Sequence, residues 1–262
     1  MTALDILLII LGFLAVVPPA YIYYRDKEES YKALMILSFV AGPLWAFSIA
    51  FFRNATDETS VTVYAQIIYT ISLLLGLFFY LFEQYFPKKK KHGRYLNFAV
   101  YSIGLLLLYS IWFTKLFLKD VIVFGSNNVV LGPLYALWMV WMLGIFTFGV
   151  ISILIQYQKL GKVEKKQLKY FIFAIILPVV GVVPTNAVFP LLGIYEYIWV
   201  GPIAMSFMTV ILTYGITSKY SESKATLLSK VIRIFALIIY IFLVGLIGLL
   251  MLKLRQSGDG YI

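Results

Sequence analysis

The 262-residue chain has no cysteine and one histidine, His92. The first absence excludes disulfides, thiolate catalysis and cysteine-ligated metals. The second excludes any site that needs two imidazoles, the His-Glu-x-x-His zinc motif among them. Charge is scarce as well: 13% of residues are charged, against about 25% in a soluble domain. The polar stretches, 53–62, 87–95, 158–169 and 219–230, are each too short to build a core of their own.

What the chain does have is apolar length. It is 62% hydrophobic and 18% aromatic, with a mean hydropathy of +0.92, more apolar surface than a soluble fold can hide. A membrane-crossing helix needs about 20 mostly apolar residues. Runs of that kind occupy 4–24, 33–52, 63–86, 95–118, 133–157, 168–187, 198–218 and 227–252. The expected fold is therefore all-α, a polytopic membrane bundle of seven to eight helices. The first run has only Met1-Thr2-Ala3 before it and no basic segment, so it reads as a helix and not as a cleaved signal peptide.

Lysine and arginine are distributed unevenly between the two sides. The loops after helices one, three, five and seven carry seventeen, among them Lys88 to Lys91 and Lys162 to Lys169, and the opposite side carries five. Such a bias orients the basic loops to the cytoplasm and the N-terminus outside. The net charge of +10 then serves topology and contact with anionic lipid. No nucleic-acid partner is expected, because no folded domain presents the lysine run. Tyr21, Tyr23, Tyr24, Tyr85, Tyr95, Tyr157 and Tyr170 gather at the same side as an interfacial belt.

Catalytic chemistry needs convergent polar groups, and the spans hold few. Of the acids, Glu83 lies clearly inside a span, four residues before Pro87, where pairing with Lys88 to Lys91 is the ordinary outcome. Helix seven has no lysine before Lys219, and no Gly-rich phosphate loop follows a strand. Ion-coupled transport marks its path with buried ionisable residues. The expectation is a protein with no catalytic site, no metal and no cofactor.

The non-basic side carries the unusual features. Residues 119–132 place two β-branched runs around Gly125-Ser126-Asn127-Asn128, the pattern of a hairpin, either a lid or a connector. Asn54-Ala55-Thr56 matches a glycosylation acceptor by pattern. Gly132-Pro133 and Gly201-Pro202 open helices five and seven, and Gly42-Pro43 falls inside helix two and should kink it. Pro178, Pro184 and Pro190 should break helix six and leave free backbone groups beside Thr185 and Asn186. Asn186 then either binds helices together or lines a pocket. Tyr135, Trp138, Trp141, Tyr195, Tyr197 and Trp199, with Trp112 one to two turns in, read chiefly as an interfacial belt. A small or amphipathic ligand among them gives the pocket candidates Tyr135, Trp138, Asn186 and Trp199.

Residues 131–221 resemble the seven-transmembrane N-terminal sensor region of histidine kinases. The marks are the Gly132-Pro133-Leu134-Tyr135 start, Lys166-Gln167-Leu168-Lys169-Tyr170, Thr185-Asn186 before Pro190-Leu191-Leu192-Gly193-Ile194, the Gly201-Pro202 start and the Tyr214 to Lys219-Tyr220 exit. Residues 12–26, GFLAVVPPAYIYYRD, are similar to that family's first helix. The resemblance implies a two-component sensory input domain over 1–221, in a prokaryotic plasma membrane, followed at 222–262 by a further helix and a short polar tail. No phosphoacceptor histidine box, Asn box or ATP lid follows residue 221, so no kinase activity is expected of this chain. Eight crossings would place the C-terminus outside. The expected protein partners are a cytoplasmic kinase or a homodimer mate. The rival readings are a small-molecule permease and a structural membrane subunit; Gly245 and Gly248 in the eighth run give the latter thin support.

Overall fold

A capping box starts the first helix. The Thr2 hydroxyl accepts from the Asp5 N–H at 3.3 Å, and the Asp5 carboxylate accepts from the Thr2 N–H at 2.8 Å, which satisfies two of the four orphan donors of a helix start. In the computed structural model, which describes residues 1–123 and 127–217, this helix is α1, Ala3–Asp26. It is followed by α2 (Glu29–Asn54), α3 (Glu58–Tyr85), α4 (Arg94–Phe113), α5 (Leu134–Ile155), α6 (Lys162–Leu191) and α7 (Val200–Thr217). Six of these are long and apolar enough to cross a membrane, and α7 is a shorter apolar helix. The expected helix at 227–252, the loop 219–230, the Lys219-Tyr220 exit and the hairpin tip Gly125-Ser126 lie outside the described residues.

The expected kink in α2 is present as a π-turn over Val40–Leu44, centred on Gly42 and Pro43. A proline inside a helix removes one backbone donor, and a wider turn absorbs the mismatch without a break. At this turn α2 meets α1. A Cβ on Gly12 would lie 2.7 Å from the Gly42 carbonyl carbon, and a Cβ on Gly42 would lie 2.6 Å from the Gly12 oxygen. The two backbones cross in direct contact, as small residues permit between membrane helices.

Helix α6 departs from the sequence expectation. Its three prolines do not break it: α-helix runs through Pro178 to Val182, a π-turn covers Val183–Val188, and a final turn spans Phe189–Leu191. The Thr185 hydroxyl donates to the Gly181 carbonyl at 2.7 Å. Pro190 has no N–H to return to the Asn186 carbonyl, and the Tyr135 hydroxyl reaches that oxygen at 3.5 Å and the Ala187 oxygen at 2.9 Å. Freed carbonyls inside a span need such partners.

Helix α4 ends at Phe113, before the expected 118, because Leu118 enters a hairpin of β1 (Leu118–Ile122) and β2 (Asn128–Leu131). The strands are antiparallel with a bulge between Leu118 and Asp120. The hairpin is tied down. Asn127 donates to the Phe52 and Ala55 carbonyls at 2.6 and 2.8 Å, and the Tyr195 hydroxyl donates to the Val129 carbonyl at 3.1 Å. Burial pushes the Tyr195 hydroxyl well above the ordinary phenol range, so it remains a donor. The hairpin is therefore anchored to the end of α2 and to the segment before α7.

Beneath it, Tyr69, Phe117, Tyr135 and Trp138 form one cluster with ring centroids 5.1 to 6.4 Å apart. Most of the expected belt at this end is thus core: Tyr135, Trp138, Trp141, Tyr195 and Trp199 are buried, and Trp112 and Tyr197 are exposed. Packing of the rings on one another, with hydrogen bonds from the Tyr135 and Tyr195 hydroxyls to backbone carbonyls, holds them there. At the basic end Tyr21, Tyr24, Tyr95 and Tyr157 are exposed, in keeping with a belt.

Candidate functional site

The walls of the main cavity follow from helical periodicity. On α5, Trp138, Met142 and Phe146 recur every fourth residue, with Met139 and Leu143 beside them. On α6, Ile175, Pro178, Val182 and Asn186 form the facing stripe. Residues three and four apart share a helix face, so the two stripes bound a cleft of about 320 Å³. Met205 and Met208 of α7, Ser72 and Leu75 of α3 and Trp45 of α2 also line it. Among the described residues, no charged side chain lines it. Four of the seven methionines face this one space, and methionine supplies a soft wall that adapts to irregular shapes.

Trp138 and Asn186 of the four sequence candidates line the cleft. Tyr135 lies behind them, bonded to the carbonyls of the α6 π-turn. Trp199 is buried but lines neither this cleft nor the small neighbouring one. Sequence reasoning missed Trp45 and the methionines. The signal was present in two Met-x-x-Met pairs, 139/142 and 205/208, which share a face at helical spacing.

Asn186 combines both roles the sequence left open. With its amide turned so that both ends are satisfied, the nitrogen donates to the Ile198 carbonyl at 2.9 Å and the oxygen accepts from the Gly201 N–H at 3.2 Å. It thereby staples the π-turn of α6 to the start of α7 while facing the cleft. Gly201 permits this, because a Cβ there would fall 2.6 to 2.9 Å from the Asn186 amide. Gly201→Ala is expected to destabilise the bundle by about 1–3 kcal/mol through overpacking. A lower Tm in detergent that recovers in Gly201→Ala/Asn186→Ala would establish the clash. An unchanged Tm in the single variant would refute it.

Trp45, Ser72 and Asn186 also line a second, much smaller space, together with Val129, Pro190, Tyr195 and Ile198. Ser72 donates to the Ile68 carbonyl at 2.8 Å. The indole N–H groups of Trp45 and Trp138 are buried with no hydrogen-bond partner among the described residues.

Two ionic clusters flank the spans. At the basic end the Glu83 carboxylate is fully buried and paired with both Lys90 and His92, as the expectation of pairing had it. Lys90 also donates to Ser152 of α5 at 2.7 Å. The His92 ring stacks on Tyr80 at 5.2 Å and meets Phe148 edge-on at 5.1 Å. At the hairpin end Asp5 is a second acid inside a span, which the sequence reading passed over. Its buried carboxylate accepts from Arg53 and Asn54 of α2 at 2.8 Å each. Asn54 is thus engaged inside the fold through the very side-chain nitrogen a glycan would need.

A protein-family model described as the N-terminal 7TM region of histidine kinase matches residues 7–220. No curated protein and no solved structure matches the chain.

Proposed function

Because the chain belongs to the family of N-terminal 7TM regions of histidine kinases, we propose that it is a sensory input domain, with the cleft between α5, α6 and α7 as its receiving site. The observation that carries this reading is the position of the cleft against the α6 π-turn. A ligand there contacts Asn186, which bonds α6 to α7. Its differential affinity for two packings of these helices shifts their populations, and the shift reaches the basic segment 158–169 through α6. In this reading the basic end lies in the cytoplasm of a prokaryotic cell, against anionic lipid. The output passes to a cytoplasmic histidine kinase or across a homodimer.

The absence of cysteine makes site-directed spin labelling direct. Labels at Lys91→Cys and Lys166→Cys, both exposed positions at the basic end, report its movement in the full chain in nanodiscs. Addition of 1-decanol or indole is expected to shift the distance distribution between them. Asn186→Ala with Trp138→Ala is expected to remove the shift. No shift, or the same shift in the double variant, refutes the reading.

A further inference from the structure

The contacts between α6 and α7 share one register. A Cβ on Gly215 would lie 2.5 Å from the Tyr170 Cβ, one on Gly181 would lie 3.1 Å from the Ala204 Cβ, and one on Gly201 would lie 2.6 to 2.9 Å from the Asn186 amide. Eleven residues separate Tyr170 from Gly181, and eleven separate Ala204 from Gly215. Equal spacing on both helices means that they run side by side instead of crossing at one point. From Tyr170 to Asn186 the contact covers about 24 Å of helix at 1.5 Å per residue. The Tyr170 and Tyr214 rings close its basic end edge-on at 5.1 Å, and Asn186 bonds to Ile198 and Gly201 at the other.

Helix α5 is held against α3 in a similar way. A Cβ on Gly76 would lie 2.8 Å from the Met142 sulfur and 3.1 Å from the Trp141 ring, and one on Gly149 would lie 2.7 Å from the Phe79 ring. The Phe79 and Phe146 rings stand 4.5 Å apart, and Lys90, held by Glu83 of α3, reaches Ser152 of α5 at 2.7 Å.

Between these two pairs the contacts are of another kind. The Tyr135 hydroxyl reaches the Ala187 carbonyl at 2.9 Å. Phe171 of α6 meets the Phe79 and Phe86 rings at 6.3 and 5.5 Å, and Lys88 pairs with Glu164 at 3.5 Å. Each is made at the far end of a long side chain. Small changes of χ angle let such contacts follow a slide of one helix past another. The Cβ atoms of Tyr170 and Ala204 are fixed by their backbones and have no such freedom.

We propose that α6 and α7 form one rigid pair that slides as a unit against the α3–α5 pair. A displacement at the Asn186 π-turn then arrives at two points together, the start of α6 and Thr217 at the end of α7, which the antiparallel register places at the same end. This deepens the sensory reading and rests on it for its role.

Hydrogen exchange of the full chain in nanodiscs, read by mass spectrometry, tests the unit, because amides that open together share one opening free energy. Gly181→Ala presses on Ala204 in the middle of the pair, and Gly215→Ala presses on Tyr170 at its basic end. Each is expected to speed exchange by roughly fivefold or more along both helices, as far as residues 198–201. Gly181→Ala is the milder change and carries the test should Gly215→Ala fail to fold. Gly149→Ala is expected to speed exchange in α3 and α5 and to leave α6 and α7 unchanged. Faster exchange confined to the substituted helix, or no change with Gly181→Ala, overturns the inference.

A second pair of spin labels separates this inference from the sensory reading. Lys166→Cys lies at the basic end of α6. Tyr197→Cys is exposed just before α7, where the Val200 N–H donates to the residue 197 carbonyl at 3.0 Å. On addition of 1-decanol or indole the 91–166 distance is expected to shift and the 166–197 distance to hold. A shift in both shows α6 moving on α7, which overturns this inference and leaves the sensory reading standing. No shift in either, with exchange spread over both helices, leaves the rigid pair standing and overturns the sensory reading.

Discussion

Glu83→Ala is expected to destabilise the bundle by about 3–5 kcal/mol, the cost of removing one partner from a buried ion pair. The carboxylate has no exposed surface and answers two groups at once, Lys90 and His92. Without it, Lys90 retains the Ser152 hydroxyl, but its charge loses the buried opposite charge. The imidazole loses its ring-nitrogen partner while it remains packed between Tyr80 and Phe148. The consequence reaches beyond one contact, because the cluster joins α3, the loop that follows it and α5. Thermal unfolding in detergent measures the loss. Glu83→Ala with Lys90→Met is expected to recover part of it, since the second change removes the stranded charge. Equal Tm values for Glu83→Ala and the parent would mean the cluster contributes nothing to stability.

Gly42→Val has the second large effect. The Gly12 and Gly42 backbones touch, and a Cβ on Gly42 would sit 2.6 Å from the Gly12 oxygen and 3.2 Å from its Cα. Backbone atoms cannot rotate away as a side chain can, so α1 and α2 must separate or tilt. Overpacking of this kind costs about 1–3 kcal/mol and occasionally more. A branched residue within the π-turn also crowds its own helix. Buried positions on both helices, Leu8, Ala15, Trp45 and Ile49 among them, would lose packing together. A fall in Tm larger than that of Gly144→Ala, whose Cβ would meet nothing within 4 Å, is the expected result. Equal Tm values would refute the close crossing.

Much of the fold was legible because lipid imposes one dominant constraint. A span must satisfy its own backbone and be about 20 residues long, so hydropathy placed the seven described helices to within a few residues. The Gly42-Pro43 kink, the Gly-Pro helix starts and the hairpin were readable for local reasons. The behaviour of α6 was not. Three prolines in thirteen residues, Pro178 to Pro190, predict a break when each is weighed alone. The π-turn survives because Thr185 and Tyr135 supply donors to the carbonyls, and Tyr135 lies fifty-one residues from Asn186 in sequence. The tryptophans and tyrosines at the hairpin end misled for a related reason. An aromatic near a helix end can face lipid or core with the same local sequence, and only its neighbours across the bundle decide which.

Composition and hydropathy are enough for the class of molecule, the order of its described spans and the segregation of its positive charge. Those follow from composition and periodicity, which are local. The tertiary structure alone decided that Asn186 bonds across to Ile198 and Gly201, that Glu83 holds Lys90 and His92, and that α5 and α6 stand apart enough to leave a methionine-walled cleft. Each depends on how helices distant in sequence approach one another. That approach is set by backbone contact at Gly12 and Gly42 and by side chains meeting across the bundle, neither of which any single helix encodes.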